Sequence, residues 1–581
     1  NQQVQERVLD SNPLERERGI TILAKNTAVY WNEVKINIVD TPGHADFGGE
    51  VERILRMVDG VVLLVDAAEG PMPQTRFVTR KALELELLSL VVINKIDRAD
   101  ARPAEVHDEV LELFMDLEAT ERQLDSPFLY AAGRDGWAGD TPELSEGDLR
   151  PLFDGIVSHF PEPEVDPTGP FQMLVSTLDH SSYLGRIAIG RIERGQVCVG
   201  QRVALLDFGS PGMVDDVTEA EEARVVKLYT FSGLERIEVE EANAGDIIAL
   251  TGIEGVEIGK TLSDPEHQER LLGIAVEEPT LSMDFTVNNS PFAGQSGKFV
   301  TSRHLRERLY RELEQNVALR VEDTEKPETL TVSGRGELHL SILIETMRRE
   351  GYEFQVSRPR VITRTGVDGE LQEPYEEALI EVPSEMVGTV IEKLGSRKGE
   401  MTDLRPMGDS GTTRLSLRVP ARGLVGYRSE FLTDTRGEGV LHHQFHSWGT
   451  WAGVLQGRGR GVLVADRVGR AVGFALQNLQ ERGTLFVSPG EEVYGGMIVG
   501  ENARPGDLDV NVGKEKKLTN MRAAGSDESI KLEPPRRLTL EVALEFIEDD
   551  ELIEITPDAV RLRKTVLDQN TRKKAAKRAK G

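Results

Sequence analysis

The chain has 581 residues, a formal net charge of −30 and one cysteine, Cys198. This length exceeds what one hydrophobic core can hold, so we expect several domains. A single cysteine excludes an intramolecular disulfide, and the negative charge argues against non-specific nucleic-acid binding by the whole surface. Apolar runs fall short of the roughly eighteen residues that span a bilayer, and the first residues do not resemble a signal peptide. We therefore expect a soluble, cytoplasmic protein with no membrane partner.

Residues 1–165 alternate apolar, β-rich runs with helical patterns. The runs are VKINIVD, GVVLLVDA and LSLVVINKID, and QTRFVTRKALELEL is one of the helical patterns. This alternation predicts an α/β domain with a parallel sheet and crossover helices. Ligands of such sheets bind beyond the carboxyl ends of the strands, so we look for a site in the residues that follow each run.

The rest of the chain predicts four further regions. Residues 171–267 are short strands broken by glycines, a pattern typical of a β-barrel. Residues 272–365 and 372–449 each alternate strands with helices and predict two α+β domains. Residues 450–581 are rich in glycine and strand-like, and their last 21 residues carry nine Lys or Arg against one Asp. Such a tail either contacts phosphates or is a solvated, disordered segment.

Asp40 ends the run VKINIVD, and Thr41, Pro42 and Gly43 follow it. A carboxylate at this position can bind Mg²⁺, usually through a water, because a hard divalent ion on phosphates keeps much of its hydration shell. Gly43 has no Cβ, which lets its backbone N–H approach a terminal phosphate. The pattern Asp-x-x-Gly arises often by chance, so it gains weight only from a second signal.

The second signal is Asn94-Lys95-Ile96-Asp97, at the end of another apolar run. Asp97 can accept two hydrogen bonds from guanine, at N1–H and the exocyclic amine, which adenine cannot offer. Asn94 can bond the purine and brace the neighbouring loops, and the stem of Lys95 can lie along the base. The wrong base would leave the carboxylate unpaired. Together the two motifs predict a guanine-nucleotide site and not two polar strand-end turns.

Four further residues complete the candidate site. Thr21 can bind Mg²⁺ through its hydroxyl and the γ-phosphate through its backbone, and Ile20 beside it can screen the attacking water. His44 directly follows Asp-x-x-Gly, where a polar group can position a water in line with the γ-phosphate. In LYAAGRDG, Ala132 can offer its backbone N–H to the guanine oxygen.

These motifs resemble those of the translational GTPases. RGITI, DTPGH and NKID are similar to the motifs of elongation factors Tu and G, and SGRGELHLS and GYRSEF resemble later domains of the elongation factor G group. Too few residues separate the two α+β regions for the inserted domain of elongation factor G. Two families lack that insertion, LepA and BipA/TypA. HADFGGEVER, KKLTNMRAAGSDE and ALEFIEDDELIEITP resemble BipA/TypA, which makes a LepA-like factor the weaker alternative.

The resemblance implies a P-loop-type GTPase domain, a β-barrel, two ferredoxin-like α+β domains and a distinct C-terminal domain. It implies a ribosome-dependent GTP hydrolase that yields GDP and phosphate, uses Mg²⁺, and acts as a cytoplasmic monomer in ribosome assembly and in translation under stress. Its partners would be both ribosomal subunits at the factor-binding site, with rRNA. The alternative is a ribosome-associated assembly scaffold in which nucleotide is not turned over.

The C-terminal domain of that family reaches toward the acceptor end of A-site tRNA. The candidate contacts here are basic residues of one loop: Lys514, Lys516, Lys517 and Arg522. Phosphates attract such side chains, although an ordinary exposed lysine turn has the same composition.

Two features depart from the family's pattern. The phosphate-binding loop, G-x-x-x-x-G-K-[ST], is missing from the printed sequence. We therefore expect this chain to bind GTP poorly and to be a trimmed form of a longer protein, in preference to a native variant. In the base-contact loop, AAG replaces the usual Ser-Ala, a change that a backbone contact survives.

The stretch HHQFH carries three histidines. In an extended strand His442, Gln444 and His446 lie on one face and His443 on the other. Zn²⁺ sites usually need a fourth ligand, and no cysteine lies nearby. We predict a polar strand surface or an RNA contact here instead of a metal site.

Overall fold

The computed structural model describes residues 13–18, 21–43, 48–143, 146–181, 183–207, 220–271, 279–313, 316, 319–366, 368–407, 411–455, 457–515 and 531–579. The chain divides into two units, Asn1–Glu277 with Glu314–Ala318, and Glu278–Leu313 with Leu319–Gly581. Every helix among the described residues is too short or too polar to traverse a bilayer.

The first unit contains the predicted parallel sheet. Its strands run in the order Gly60–Asp66, Leu88–Asn94, Phe128–Ala132 and Trp137–Gly139; the first three are parallel and the last is antiparallel. Leu88–Ile93 is buried throughout, as expected for a strand covered on both faces. The helices of this region are Pro13–Arg18, Gly48–Leu55, Pro73–Glu84, Pro103–Asp116, Glu121–Leu124 and Arg150–His159. The predicted α/β fold is confirmed.

The strand that ends at Asp40 pairs differently from the prediction. Lys25–Trp31 and Val34–Asp40 form an antiparallel hairpin, a two-stranded sheet of its own in the described part of the chain. Asn32 and Glu33 make the tight turn with φ of 47° and 67°, as a type I′ turn requires. The expectation that the strand before Asp40 lies in the parallel sheet is therefore wrong.

The hairpin packs on the β-rich region instead. Ala28 on one strand and Val39 on the other lie against an apolar cluster formed by Ile187, Ile189, Phe231, Ile247 and Ala249. Burial of this face explains why the hairpin associates with residues that lie about 150 or more positions further along the chain.

The β-rich region surrounds one apolar core. Its strands are Gln172–Leu174, Thr177–Ser181, Gly185–Arg194, Gln196–Cys198, Arg202–Leu206, Glu221–Arg224, Lys227–Ser232, Glu235–Val239, Glu241–Asn243, Ile247–Thr251 and Thr261–Ser263. Nine of these described strands form one antiparallel sheet, and the other two pair with each other. A Cβ on Gly190 would lie 2.0 Å from the Leu174 carbonyl oxygen, so only glycine permits this close strand approach.

The second unit contains both predicted ferredoxin-like folds. In the first, the strands Leu281–Val287, Arg320–Asp323, Thr329–Gly334 and Phe354–Val356 have the order 2-3-1-4 and carry helices Ser302–Glu312 and Glu337–Arg349. The second fold has the same order in Leu371–Pro383, Glu400–Met407, Thr412–Pro420 and Val440–Thr450, with helices Val387–Ser396, Ala421–Leu424 and Tyr427–Asp434 and the 3₁₀ turn Ser384–Met386. Short strands lie at Arg360–Val361 and Arg364–Thr365.

The C-terminal region continues the sheet of the first ferredoxin-like fold. Phe354–Val356 pairs antiparallel with Glu551–Ile555, which extends that sheet to 11 strands within the described residues. The other strands of the region are Val462–Ala465, Gly469–Arg470, Gly483–Leu485, Glu492–Val493, Met497–Asn502, Leu508–Val510 and Val560–Lys564, and its helices are Gly473–Gln480, Leu540–Phe546 and Gln569–Ala579. The helix Leu540–Phe546 has a buried apolar face formed by Leu540, Ala543 and Leu544.

A buried polar cluster lies at this strand pair. Glu554 is fully buried, and its carboxylate accepts hydrogen bonds from Tyr494 Oη at 2.6 Å, Asn288 Nδ2 at 3.1 Å and Ser290 Oγ at 3.0 Å. Burial and the neighbouring Glu554 charge raise the pKa of Tyr494, so its hydroxyl remains a donor. The cluster satisfies polar groups that the continuous sheet has removed from water.

Candidate functional site

Two neighbouring strand ends form one side of the candidate site. Leu88–Asn94 and Phe128–Ala132 are parallel partners, with Asn94 opposite Ala131. The Asn94 Oδ1 atom accepts the N–H of Lys95 at 2.8 Å and the N–H of Gly133 at 2.9 Å. Asn94 therefore ties the Asn-Lys-Ile-Asp loop to the loop that follows the next strand, the bracing role inferred from its sequence.

Asp97 projects from the same loop into solvent. Its side chain is exposed, and no described residue donates a hydrogen bond to its carboxylate. A carboxylate with both oxygens open at the end of a parallel sheet can accept a pair of donors from a ligand.

Lys95 is held by an acid on the adjacent strand end. Its backbone has a φ of 65°, and its Nζ lies 2.8 Å from Asp66 Oδ2. Burial by itself raises the pKa of Asp66, but hydrogen bonds from Lys95 and from the N–H groups of Ala68 and Glu69 outweigh it and lower the pKa. Asp66, whose role no local motif indicates, thus remains ionised and fixes the direction of the Lys95 stem.

The structure distinguishes Ala132 from its neighbour Gly133. Ala132 is fully buried, and its carbonyl oxygen accepts the N–H groups of Asp135 and Gly136 at 3.0 and 2.9 Å. Gly133 is exposed beside Asn94, where an added Cβ would lie 3.2 Å from Asn94 Oδ1. The glycine in AAG was the available signal, since a backbone that must lie close to a side chain or a ligand favours a residue without Cβ.

The other side of the candidate site follows the hairpin strand Val34–Asp40. Asp40 is half-buried at the end of this strand, opposite Lys25 of the partner strand. A Cβ on Gly43 would meet only the Gln74 Oε1 atom among the described residues, at an ordinary 3.6 Å. The described residues therefore leave space beside the Gly43 backbone for a Cβ. This space is where a ligand would come close to the Gly43 N–H.

The Thr21 segment is anchored by a buried acid. Glu15 is fully buried, and its Oε1 atom accepts the N–H groups of Ile22 at 3.0 Å and Leu23 at 3.2 Å, while Lys25 donates to Oε2. Burial raises the pKa of Glu15, but these donors outweigh burial and hold the pKa below its ordinary value of 4.5. The role of Glu15 is not visible in the sequence, because ERER has the composition of a solvated surface.

We expect the change Glu15→Gln to loosen the backbone that follows Thr21. A neutral amide accepts the two N–H groups less strongly than a carboxylate, so amide hydrogen exchange at Ile22 and Leu23 should accelerate roughly fivefold at pH 7. Because folding lowers the pKa of Glu15, its stabilisation is complete above pH 4.5 and disappears as the pH falls through the lowered value.

Exchange rates of the two proteins should therefore converge in acid. The exposed neighbour Glu17, changed to glutamine, is the control and should leave both amides at the wild-type rate. Equal protection in wild type and Glu15→Gln at pH 7 would contradict the anchoring role.

Models of four protein families match the chain. The elongation factor Tu GTP binding domain matches residues 1–162, and elongation factor Tu domain 2 matches residues 185–263. The elongation factor G C-terminus matches residues 370–458, and the TypA/BipA C-terminal domain matches residues 460–569.

Comparison with whole proteins extends this likeness. A large ribosomal subunit assembly factor BipA from Bacillus subtilis (strain 168) is 52% identical over 581 residues, which are 100% of this chain and 93% of that protein. Proteins of the same name from Escherichia coli (strain K12) and Synechocystis sp. are 54% and 53% identical, over 99% and 98% of this chain and 93% of each relative. The chain belongs to the TypA/BipA family.

A solved structure bears on the fold of this TypA/BipA chain. A crystal structure of a protein from Thermus thermophilus matches with a TM-score of 0.50 and 18% identity, over 76% of this chain and 91% of that one. At this identity the likeness concerns the architecture of domains and not their chemistry.

Several predicted residues of the TypA/BipA chain lie outside the described residues. They are Ile20 and His44 at the candidate nucleotide site and Lys516, Lys517 and Arg522 in the basic loop. Lys514 is described and exposed. The roles assigned to these residues stay predictions.

The donor set at Thr21 and Asp40 fits Mg²⁺. A hydroxyl and a carboxylate supply hard oxygen ligands, and Mg²⁺ takes few protein ligands because it keeps waters and phosphate oxygens. The histidine stretch differs: His443 Nδ1 contacts Glu376 Oε2 on the neighbouring strand, and the described residues contain no group of His, Cys, Asp and Glu that could hold a metal ion.

Proposed function

We propose that this TypA/BipA chain is a GTPase that binds the ribosome and acts in assembly of the large subunit. The observation that carries the nucleotide assignment is the exposed Asp97 carboxylate, which no described residue pairs, beside the loops that Asn94 joins. The match to the elongation factor Tu GTP binding domain and the name of the relatives support the same assignment.

On the base side, Asp97 accepts the guanine N1–H and exocyclic amine, and Lys95 lies along the ring with its ammonium held at Asp66. Asn94 keeps the next loop in place. Ala132 is the candidate for the guanine oxygen through its backbone N–H, and Gly133, whose own N–H donates to Asn94 Oδ1, keeps the loop beside the base in place.

On the phosphate side, Gly43 offers its N–H to the terminal phosphate, and His44 orients the attacking water while Ile20 screens it. Thr21 and Asp40 are the residues that would hold Mg²⁺, an ion that neutralises charge on the phosphates. Hydrolysis then breaks the bond between the β- and γ-phosphates and leaves GDP and inorganic phosphate.

The proposed partners follow from the family. The protein is a cytoplasmic monomer that docks between the ribosomal subunits on rRNA. Lys514, Lys516, Lys517 and Arg522 contact phosphates near the acceptor end of a bound tRNA, a contact that salt should weaken strongly.

The proposal is tested by GTP hydrolysis in the full-length protein, with and without ribosomes. We expect ribosomes to raise the hydrolysis rate strongly. If nucleotide binds but ribosomes leave the rate unchanged, the protein is an assembly scaffold whose nucleotide is not turned over.

We expect His44→Ala to lower ribosome-stimulated hydrolysis at least about a hundredfold, because positioning of the water is lost. Ribosome binding with a non-hydrolysable GTP analogue should persist. His267→Ala, at an exposed position of the β-rich region, is the control and should retain the wild-type rate. A His44→Ala protein with normal turnover would remove His44 from the mechanism.

A further inference from the structure

The strand that carries Asp40 presents one face to the β-rich region of the same unit. Side chains alternate along a strand, so Lys35, Asn37 and Val39 share a face. Val39 packs on the apolar cluster of the β-rich region, and Lys35 and Asn37 reach a single acid there, Asp246.

Asp246 is the centre of a small, half-buried polar network. Its Oδ1 atom accepts Lys35 Nζ at 2.7 Å and Asn37 Nδ2 at 3.2 Å, and its Oδ2 atom accepts Thr230 Oγ1 at 2.8 Å. Lys35 Nζ also donates to Thr230 Oγ1 at 2.6 Å. The side chains of Lys35 and Asp246 are only 20% and 23% exposed, so the ion pair is screened less than a surface pair.

The partner strand of the hairpin is tied to the same region through its backbone. Ala28 and Gly233 exchange hydrogen bonds, with the Gly233 N–H 2.8 Å and the Ala28 N–H 3.4 Å from the opposite carbonyl oxygen. Thr27 Oγ1 also donates to the Gly233 carbonyl. Both strands of the hairpin are therefore fixed, and Asp246 is the charged contact on the strand that leads to Asp40.

We propose that Asp246 is a positioning residue for the terminal phosphate of GTP, an inference that rests on the proposed function. Asn37 precedes Asp40 by three residues, a rise of roughly 10 Å along an extended strand. Because a paired strand moves as a unit, the contact at Lys35 and Asn37 sets where Asp40 and Gly43 lie. The position of the β-rich region and the occupancy of the terminal phosphate site are thereby coupled.

This coupling should distinguish GTP from GDP. Gly43 and Thr21 meet the γ-phosphate, which GDP lacks, whereas the contacts to guanine lie on the other side of the site. Loss of the Asp246 contact therefore weakens binding of the triphosphate and leaves binding of the diphosphate unchanged. A general loss of stability would weaken both.

The test compares Asp246→Asn with Asp59→Asn in the full-length protein. Asp59 makes a second ion pair with the β-rich region, to Arg191 Nη1 at 2.7 Å, but it precedes the strand Gly60–Asp66 and not Asp40. Each variant removes one charge from one such pair with the same change of side chain. Dissociation constants of fluorescent GDP and of a fluorescent non-hydrolysable GTP analogue are measured for each.

For Asp246→Asn we expect analogue affinity to fall at least about fivefold, with GDP affinity within about twofold of wild type. Asn37→Ala removes the hydrogen bond that the strand donates to Asp246 and should show the same selective loss of analogue affinity. Asp59→Asn should not show this loss. Equal losses for both nucleotides, or no loss, in both Asp246→Asn and Asn37→Ala would overturn the inference while the proposed function stands. If the wild-type protein binds neither nucleotide, both fall.

Discussion

Replacing Asp97 with asparagine is expected to weaken binding of guanine nucleotides by roughly a thousandfold. Hydrogen bonds to a charged group contribute about 1.5–3 kcal/mol each, and the carboxylate is placed to accept two from guanine. Asparagine keeps one acceptor and turns an N–H₂ group toward a donor of the base. A loss of about 4 kcal/mol corresponds to three powers of ten in the dissociation constant.

The same change should create affinity for xanthosine triphosphate. Xanthine carries a carbonyl oxygen where guanine carries its exocyclic amine, so the new N–H₂ group gains an acceptor. Since no described residue donates to Asp97, the substitution removes no hydrogen bond within the described part of the fold, and the thermal midpoint should not change. The expected result is thus a change of base preference without a loss of stability.

Asp100→Asn is the matched control for this experiment. Asp100 is an exposed acid three residues further on, and it pairs with Arg98 at 2.8 Å. We expect its guanine affinity to remain within a few fold of wild type, as for most surface changes. If Asp97→Asn binds GTP as tightly as Asp100→Asn does, guanine is not read by this loop.

Local patterns predicted where the candidate base-contact residues lie in the fold. Leu88–Asn94 is an apolar run that ends abruptly in polar residues, and the parallel sheet places such ends at one edge. Asn94 and Asp97 follow directly from that geometry. Gly133 and Asp66 were missed because their contacts with Asn94 and Lys95 join loops from different strands, and no single stretch displays the contact.

Long-range pairing explains the two larger departures. The hairpin that ends at Asp40 packs on residues near 187–249, and Phe354–Val356 pairs with Glu551–Ile555 nearly 200 residues later. Periodicity shows that a strand has a buried face but not which partner covers it. For that reason both ferredoxin-like folds were predicted, whereas the fusion of one of them with the C-terminal sheet was not.

The change Glu554→Ala is expected to lower the free energy of unfolding of the second unit by roughly 3–5 kcal/mol. Removing one partner of a buried ionic cluster leaves the other partners without water or acceptor. Here Tyr494, Asn288 and Ser290 lose their shared acceptor, and Arg561 loses a carboxylate 3.3 Å from Nη1. Urea unfolding should show a midpoint lower by about 1 M or more.

Two comparisons separate the buried cluster from the loss of one acidic side chain. Tyr494→Phe removes a single hydrogen bond and should cost about 1 kcal/mol. Glu491→Ala, at an exposed position of the same region, should remain within about 0.5 kcal/mol of wild type. If Glu554→Ala costs no more than Glu491→Ala, the cluster does not stabilise the strand pair.

One effect of Glu554→Ala opposes this destabilisation. The carboxylates of Glu353 and Glu554 both accept the Asn288 amide, and the substitution removes the repulsion between them. Glu353 also accepts the N–H groups of Gly294 and Gly297 at 2.8 and 3.0 Å, so its charge is already compensated without Asn288. The free energy gained by removing this repulsion is therefore small beside the cost of taking the shared acceptor from Tyr494, Asn288 and Ser290. Because Glu554 lies in the strand that pairs with Phe354–Val356, hydrogen exchange in Glu551–Ile555 should accelerate first, before the rest of the sheet opens.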